Sequence, residues 1–234
     1  MLEKSIATKA SVSVIPYNFP RLIMNKISSQ NTLHLGILLS GRGSNLRAIH
    51  EACIHQQIPA RIALVISDNP HALGVIYARE HCIATYVVDF VQLIEKYEQY
   101  SLARKTFEKD VHKKLIEARA QLVCLAGFMR ILSTDFLALW PDRVINIHPS
   151  FLPALKGLDT HKRALEQNLS QHGCTVHYVS KELDNGRIIL QEAIFVQRND
   201  TETSLSSRVL EAEHRIYPKA IGLLATKILS LPIL

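Results

Sequence analysis

From Leu33 onward, short runs of Leu, Val, Ile and Ala alternate with stretches whose apolar residues recur at helical spacing. That alternation leaves few folds open. Leu33–Leu39, Ala60–Ile66, Ala84–Val88 and Gln121–Ala126 are largely apolar on both side-chain faces, as strands are when helices cover each side of a sheet. Between them, Leu46–Gln56, Ala72–His81 and Ser101–Arg119 read as helices, and Ser133–Leu139 as a short one ahead of Pro141. Repeated strand–helix–strand units need right-handed crossovers and parallel pairing. The expected fold class is therefore α/β, a Rossmann-like open and mostly parallel sheet with helices on both faces. Cys174–Ser180 and Ile188–Val196, joined through Asp184-Asn-Gly186, read instead as a hairpin-like antiparallel element. Thr201–Lys227 follows as a long amphipathic helix, with an interruption expected near Pro218.

In such sheets ligands sit beyond the carboxyl ends of the strands, so the loops there come first. After the first strand comes Ser40-Gly-Arg-Gly-Ser-Asn45, a small-residue turn opening a helix. Glycines let the backbone approach a ligand, and the free N–H groups and dipole of a helix start attract an anion. The pattern is neither a Walker loop nor GxGxxG, and a tight turn with Ser44 as N-cap fits the same letters.

The second strand end of interest is Val144-Ile-Asn146-Ile-His148-Pro149. Residues two apart on a strand project on one face, so the Asn146 amide and the His148 imidazole share a space. An amide donor beside a titratable ring suits acyl transfer. A strand end with a capping Asn and a satisfied His fits equally well, and this stretch alone does not choose. A carboxylate beside His148 would hold one tautomer and favour the imidazolium. Asp184 is the first candidate because its turn can fold back over the site; Asp135, Asp142 and Asp159 are weaker ones. Asp-Asn-Gly is also ordinary turn chemistry. No GxSxG elbow, papain-like cysteine motif or HExxH is present, which argues against a hydrolase nucleophile and against a metal site.

Composition bounds the rest. The 234 residues suit one α/β domain, or at most two small ones; we assign residues 33–234 to a single domain and expect residues 1–32 to be a disordered tail. An early start codon with Met24 as the alternative, or a Ser-rich, acid-poor transit peptide, are the other readings of that tail. A net charge of +6 suits an anionic ligand, but no dense Lys/Arg block accompanies it, so a nucleic-acid partner is not expected. The four cysteines form no CxxC pair and read as reduced thiols of a cytoplasmic protein. No apolar stretch reaches the length of a membrane span.

Taken together, the motifs resemble those of the phosphoribosylglycinamide formyltransferase family. They are Ser40–Asn45, Leu125–Leu132, Asn146–Pro153, Gly173–Val179 with Leu183–Gly186, and Glu213-His-Arg-Ile-Tyr-Pro218, in this order from about Leu35 to Pro218. The Asn-x-His-Pro-Ser stretch and the LDxG turn are common to folate formyltransferases and related deformylases. The GxGSN turn and the EHxIYP segment point to the glycinamide ribonucleotide branch. The resemblance implies formyl transfer from 10-formyltetrahydrofolate, used as a co-substrate and without metal, to the amine of 5-phosphoribosylglycinamide. It implies catalytic roles for Asn146, His148 and Asp184, and contact with the ribonucleotide through Gly43, Ser44, Asn45 and Glu213. The folate would meet Met129, Arg130, Ile131 and Leu132, then Ser180, Lys181, Glu182, Leu183 and Asp184, with Asn146 beside them and Arg104 as a basic contact. A solvated helix face also explains Arg104. Small molecules are then the expected partners, with no nucleic acid or membrane, for a monomer or homodimer.

This chain departs from the family pattern at Lys156 and Arg187, where Pro is usual, and at Asp159, where His is frequent. Three rivals remain. A formyltetrahydrofolate deformylase is expected to carry an added N-terminal regulatory domain, for which residues 1–32 are too few. A methionyl-tRNA formyltransferase is expected to carry a further C-terminal domain. A catalytically inert binding module of this fold would keep the anion turn without needing His148 or Asp184.

Overall fold

A computed structural model describes residues 32–230, so the expectation for the N-terminal tail falls almost wholly outside the described residues. The chain order is β1 (Leu33–Leu39), α1 (Ser44–Ile54), β2 (Ala60–Ser67), α2 (Leu73–Glu80), β3 (Thr85–Val87), α3 (Phe90–Tyr97) and α4 (Tyr100–Glu117). It continues with β4 (Leu122–Leu125), α5 (Thr134–Leu139), β5 (Val144–His148), α6 (Thr160–Glu166), β6 (Gln171–Tyr178), β7 (Ile188–Phe195) and α7 (Glu202–Leu229). The strands form one sheet in the order β3-β2-β1-β4-β5-β6-β7. The first five pair in parallel, and β6 and β7 add antiparallel to β5 and to each other. The α/β, mostly parallel architecture with an antiparallel end is thus as the sequence implies.

Side-chain alternation sorts the strands into two cores. Leu35, Ile37, Leu122, Cys124, Ile145 and Ile147 pack on the face covered by α1, α2, α6 and α7. Leu38, Ile66, Val123, Leu125 and Val144 pack on the other, under α3, α4 and α5. Asn146 and His148 continue the row of Val144, so their side chains project on the α3–α5 side.

Two short helices, α3 and α6, lie outside the expected helical segments. The first is set by Asp89, whose carboxylate accepts from the Val91 and Gln92 amides as an N-cap. Conversely, α7 runs unbroken through Pro218, correcting the expected interruption. Proline removes one donor of the helix ladder, but Tyr217, Ala220, Ile221, Leu224 and Ala225 on either side of it are buried in the same core. Tertiary burial outweighs one lost hydrogen bond. Tyr217 also anchors the helix to the sheet, its hydroxyl donating to the carbonyl of Leu125 at 2.9 Å. Among the described residues no helix is long and apolar enough to cross a membrane.

The strand order reverses between β1 and β4, the kind of switch point at whose carboxyl edge open α/β sheets bind their ligands. The loops after β1 and β4 are stitched across it. Ser40 N–H donates to the Gly127 carbonyl at 3.0 Å, and Met129 N–H donates to Ser40 Oγ at 2.9 Å.

Candidate active site

The turn after β1 is built around Gly43, which sits at φ 75° in the left-handed region and caps α1 with no side-chain hydrogen bond. Ser44 is therefore the first helical residue and not the N-cap, and α1 starts two residues ahead of the expected Leu46. Without a capping side chain, the first-turn N–H groups stay free for a ligand. A side chain at Gly43 would place its Cβ 2.6 Å from Gly74 Cα, so the turn lies tight against the start of α2.

Glu213 of α7 forms one wall of this turn. Asn45 Nδ2 donates to Glu213 Oε2 at 2.7 Å, and both residues are buried. Burial pushes the Glu213 carboxyl up to about 7, against the pull of the Asn45 hydrogen bond and the Arg42 charge. The carbonyl Oδ1 of Asn45 is buried with no partner, an acceptor that a ligand hydroxyl or amide could satisfy.

The second half of the site joins β5, β6 and the 183–186 turn. Asp184, at φ 47°, aims its carboxylate at His148, with Oδ2 3.3 Å from His148 Nδ1. The same oxygen accepts from Gly157 N–H at 2.9 Å. His148 is 5% exposed, and its Nε2 donates to the Leu155 carbonyl at 2.8 Å. Both ring nitrogens thus face acceptor oxygens. Ser150 Oγ also donates to the Leu155 carbonyl, at 2.5 Å. The other acidic candidates are engaged elsewhere: Asp142 beside Arg187, Asp135 in the first turn of α5, and Asp159 as the residue preceding α6.

One member of this group is absent from the sequence expectations. His177 of β6 is paired in register with Asn146, and its Nε2 lies 3.3 Å from Asn146 Nδ2 and 3.7 Å from Asp184 Oδ1. The sequence signal was the alternation of β6, but only the register of β5 against β6 says which residue faces Asn146. Gly186 lets the turn close here, since a Cβ there would sit 1.6 Å from the Tyr178 carbonyl oxygen.

The loop after β4 carries Met129 and Ile131, 66% and 59% exposed, and Leu183 of the later turn is 55% exposed. These are apolar surfaces open to a flat ligand. Leu132 faces inward instead, into the core with Phe128 and Phe136. Arg130 donates from Nε to Asp68 Oδ2 at 2.7 Å and lies over the Phe90 ring. Ser180 Oγ donates to the Glu182 carbonyl, and Lys181 and Glu182 are exposed. Arg104 lies on α4, one turn before Phe107, whose ring stacks on Phe128. Glu108, next on that helix, accepts from the Ser133 amide, so α4 braces the 129–132 loop at both ends.

Of the three departures, Lys156 and Asp159 lie in the segment that follows His148, whereas Arg187 lies near the start of β5, beside Asp142. Lys156 Nζ donates to Asn185 Oδ1 at 2.5 Å, Asp159 turns the chain into α6 at φ 55°, and Arg187 lies over the Tyr178 ring. A cavity of about 660 Å³ runs between α1 and α7 and meets the 40–45 turn at Ser44. It does not reach Asn146, His148 or Asp184, which lie beneath their loop. Among the described residues, no group of three or more His, Cys, Asp or Glu side chains is placed to hold a metal ion.

Comparison with known proteins adds the family context. Residues 34–221 match the formyl transferase family. The chain is 37% identical to phosphoribosylglycinamide formyltransferase of Escherichia coli over 190 residues, covering 81% of this chain and 86% of that one. It is 42% identical to the trifunctional purine biosynthetic protein adenosine-3 of Gallus gallus over 204 residues. That match takes in 87% of this chain and 19% of the relative, so the chain spans about a fifth of that protein's length. Among solved structures, glycinamide ribonucleotide transformylase 1 from Symbiobacterium toebii superposes with a TM-score of 0.77 at 40% identity, covering 84% of this chain and 89% of that one.

Proposed function

The chain belongs to the formyl transferase family, and from that premise we propose that it transfers the formyl group of 10-formyltetrahydrofolate to the amine of 5-phosphoribosylglycinamide, a step of purine (IMP) biosynthesis. The observation that carries this reading is the approach of Asp184 to His148 at 3.3 Å, on the strand face that also bears Asn146. The amine attacks the formyl carbon, and the carbonyl electrons move onto oxygen to give a tetrahedral oxyanion. The Asn146 amide and the His148 ring donate to that oxygen, each such donor contributing roughly 3–4 kcal/mol to the transition state. Asp184 supports the positive charge on His148 as it does so. Asp184, through a bound water, takes the proton of the attacking amine and passes it to N10 of the folate; the oxyanion collapses, the C–N10 bond breaks, and tetrahydrofolate leaves.

In this account the formyl oxygen replaces the Leu155 carbonyl at His148 Nε2. The displaced carbonyl keeps its hydrogen bond from Ser150 Oγ, so no buried acceptor is orphaned by the exchange. Gly43, Ser44 and Asn45 receive the ribonucleotide phosphate, and Glu213 takes its ribose or amide end. Met129 to Leu132 and Ser180 to Asp184 border the pterin, with Arg104 near its acidic tail. Donors aimed at the oxyanion supply the electrophilic assistance, so the reading calls on no metal. It describes a cytoplasmic enzyme of small molecules, monomeric or homodimeric, without nucleic-acid or membrane partners.

Release of tetrahydrofolate from 10-formyltetrahydrofolate, followed with and without glycinamide ribonucleotide, tests the reading. Release that depends on the amine supports it; release at the same rate without the amine makes the protein a hydrolase and rejects it.

A further inference from the structure

The group that faces Asn146 has no role in the mechanism above, yet its hydrogen bonds are specific. His177 Nδ1 lies 2.9 Å from the Tyr178 carbonyl. A carbonyl only accepts, so Nδ1 carries the ring proton. In the neutral ring Nε2 then holds a lone pair, and it meets Asn146 Nδ2 at 3.3 Å. An amide nitrogen there donates; an amide oxygen there would set two lone pairs against each other. We infer that His177 is a positioning residue, a neutral acceptor that fixes the rotation of the Asn146 amide so that its NH2, and not its carbonyl, is offered to the reacting oxygen. This rests on the formyl-transfer reading given above.

The surroundings keep the ring in that state. His177 is 2% exposed, and the titratable groups facing it are Asp184 from the turn and His148 from β5. Burial is the largest influence and lowers its affinity for a second proton, reinforced by the His148 charge and opposed by Asp184 and the Tyr178 carbonyl. A second proton would place an N–H against the Asn146 NH2. The amide would turn over and present its oxygen to a developing oxyanion, replacing attraction by repulsion. The protonated ring would also compete with His148 for the Asp184 carboxylate, 3.7 Å away.

Two variants separate positioning from packing. His177→Asn keeps a donor at the Nδ1 position for the Tyr178 carbonyl but removes the acceptor at the Nε2 position. His177→Gln reaches the Nε2 position with an amide oxygen. The expectation is that His177→Asn lowers kcat about 100-fold with KM for both substrates within roughly 3-fold, and that His177→Gln restores kcat to within about 10-fold of wild type. In an Asn146→Ala background, either change should add less than about 3-fold, because the residue it positions is gone. Wild-type kcat in His177→Asn, or losses that multiply fully with Asn146→Ala, would overturn the inference.

Nitrogen NMR of the His177 ring provides a check that needs no turnover. The Nδ1–H neutral tautomer at pH 7 is the expected result; an Nε2–H tautomer or an imidazolium would overturn the inference. If the wild type fails to formylate glycinamide ribonucleotide, the functional reading falls by itself, and the tautomer still decides the question of His177.

Discussion

Replacing Glu213 by Gln is expected to stabilise the fold at alkaline pH while weakening the ribonucleotide site. Glu213 is 7% exposed and accepts a hydrogen bond from Asn45 Nδ2, and burial raises its carboxyl from 4.5 to about 7. Between those pH values the folded chain keeps a proton that the unfolded chain releases. Stability is therefore full below about 4.5 and falls as pH rises through about 7. The interval corresponds to roughly 3 kcal/mol above pH 7 and to under about 1 kcal/mol at pH 5. Gln carries no charge at any pH and still accepts from Asn45. For a chain of this size, Glu213→Gln should raise Tm on the order of 5–10 °C at pH 8.5 and only about 1–3 °C at pH 5. Thermal unfolding by circular dichroism at the two pH values reads the difference directly. Equal shifts at both pH values, or destabilisation at pH 8.5, would refute the burial argument. KM for glycinamide ribonucleotide should rise in the same variant, the usual exchange between a strained binding group and stability.

Two further substitutions probe the other halves of the site. At 3.3 Å and an effective dielectric of about 20, Coulomb's law gives roughly 5 kcal/mol between the Asp184 carboxylate and a charged His148 ring, part of which is offset by desolvation. Asp184→Asn keeps the shape and an acceptor for Gly157 N–H, so kcat should fall about 100- to 1000-fold with KM little changed; steady-state kinetics showing wild-type turnover would dissolve the pair. Gly43→Ala forces a side chain into the left-handed region and drives its Cβ to 2.6 Å from Gly74 Cα. It should cost roughly 2–4 kcal/mol in chemical denaturation and raise KM for the ribonucleotide more than KM for the folate.

Much of this was legible in the letters because strand chemistry is local. A Val/Ile/Leu run states its own burial, and the period of two places Asn146 with His148 without any knowledge of neighbours. What failed was non-local or depended on a single backbone angle. His177 gains its meaning from β-sheet register, which no short-range pattern of β6 contains. Ser44 looked like a capping residue, but the left-handed Gly43 takes that place and leaves the helix start open to a ligand. Pro218 looked like a break, and a continuous apolar face around Tyr217 overrides it. In α3, Phe90, Leu93, Ile94 and Tyr97 recur at i, i+3, i+4 and i+7 behind the capping Asp89, so the letters of this short helix do carry its period. The pairing of Asn45 with Glu213 spans 168 positions and was accessible only through family resemblance.

The central claim is that Asn146, His148 and Asp184 move a formyl group to an amine and not to water. Supplying 10-formyltetrahydrofolate labelled with carbon-13 in the formyl group, together with glycinamide ribonucleotide, and following the label by NMR tests it most directly. The account predicts that the label appears as a formamide on the glycinamide nitrogen, one for each tetrahydrofolate released, and that Asp184→Asn slows both together. Label recovered as formate, or folate released without a matching formamide, would contradict it.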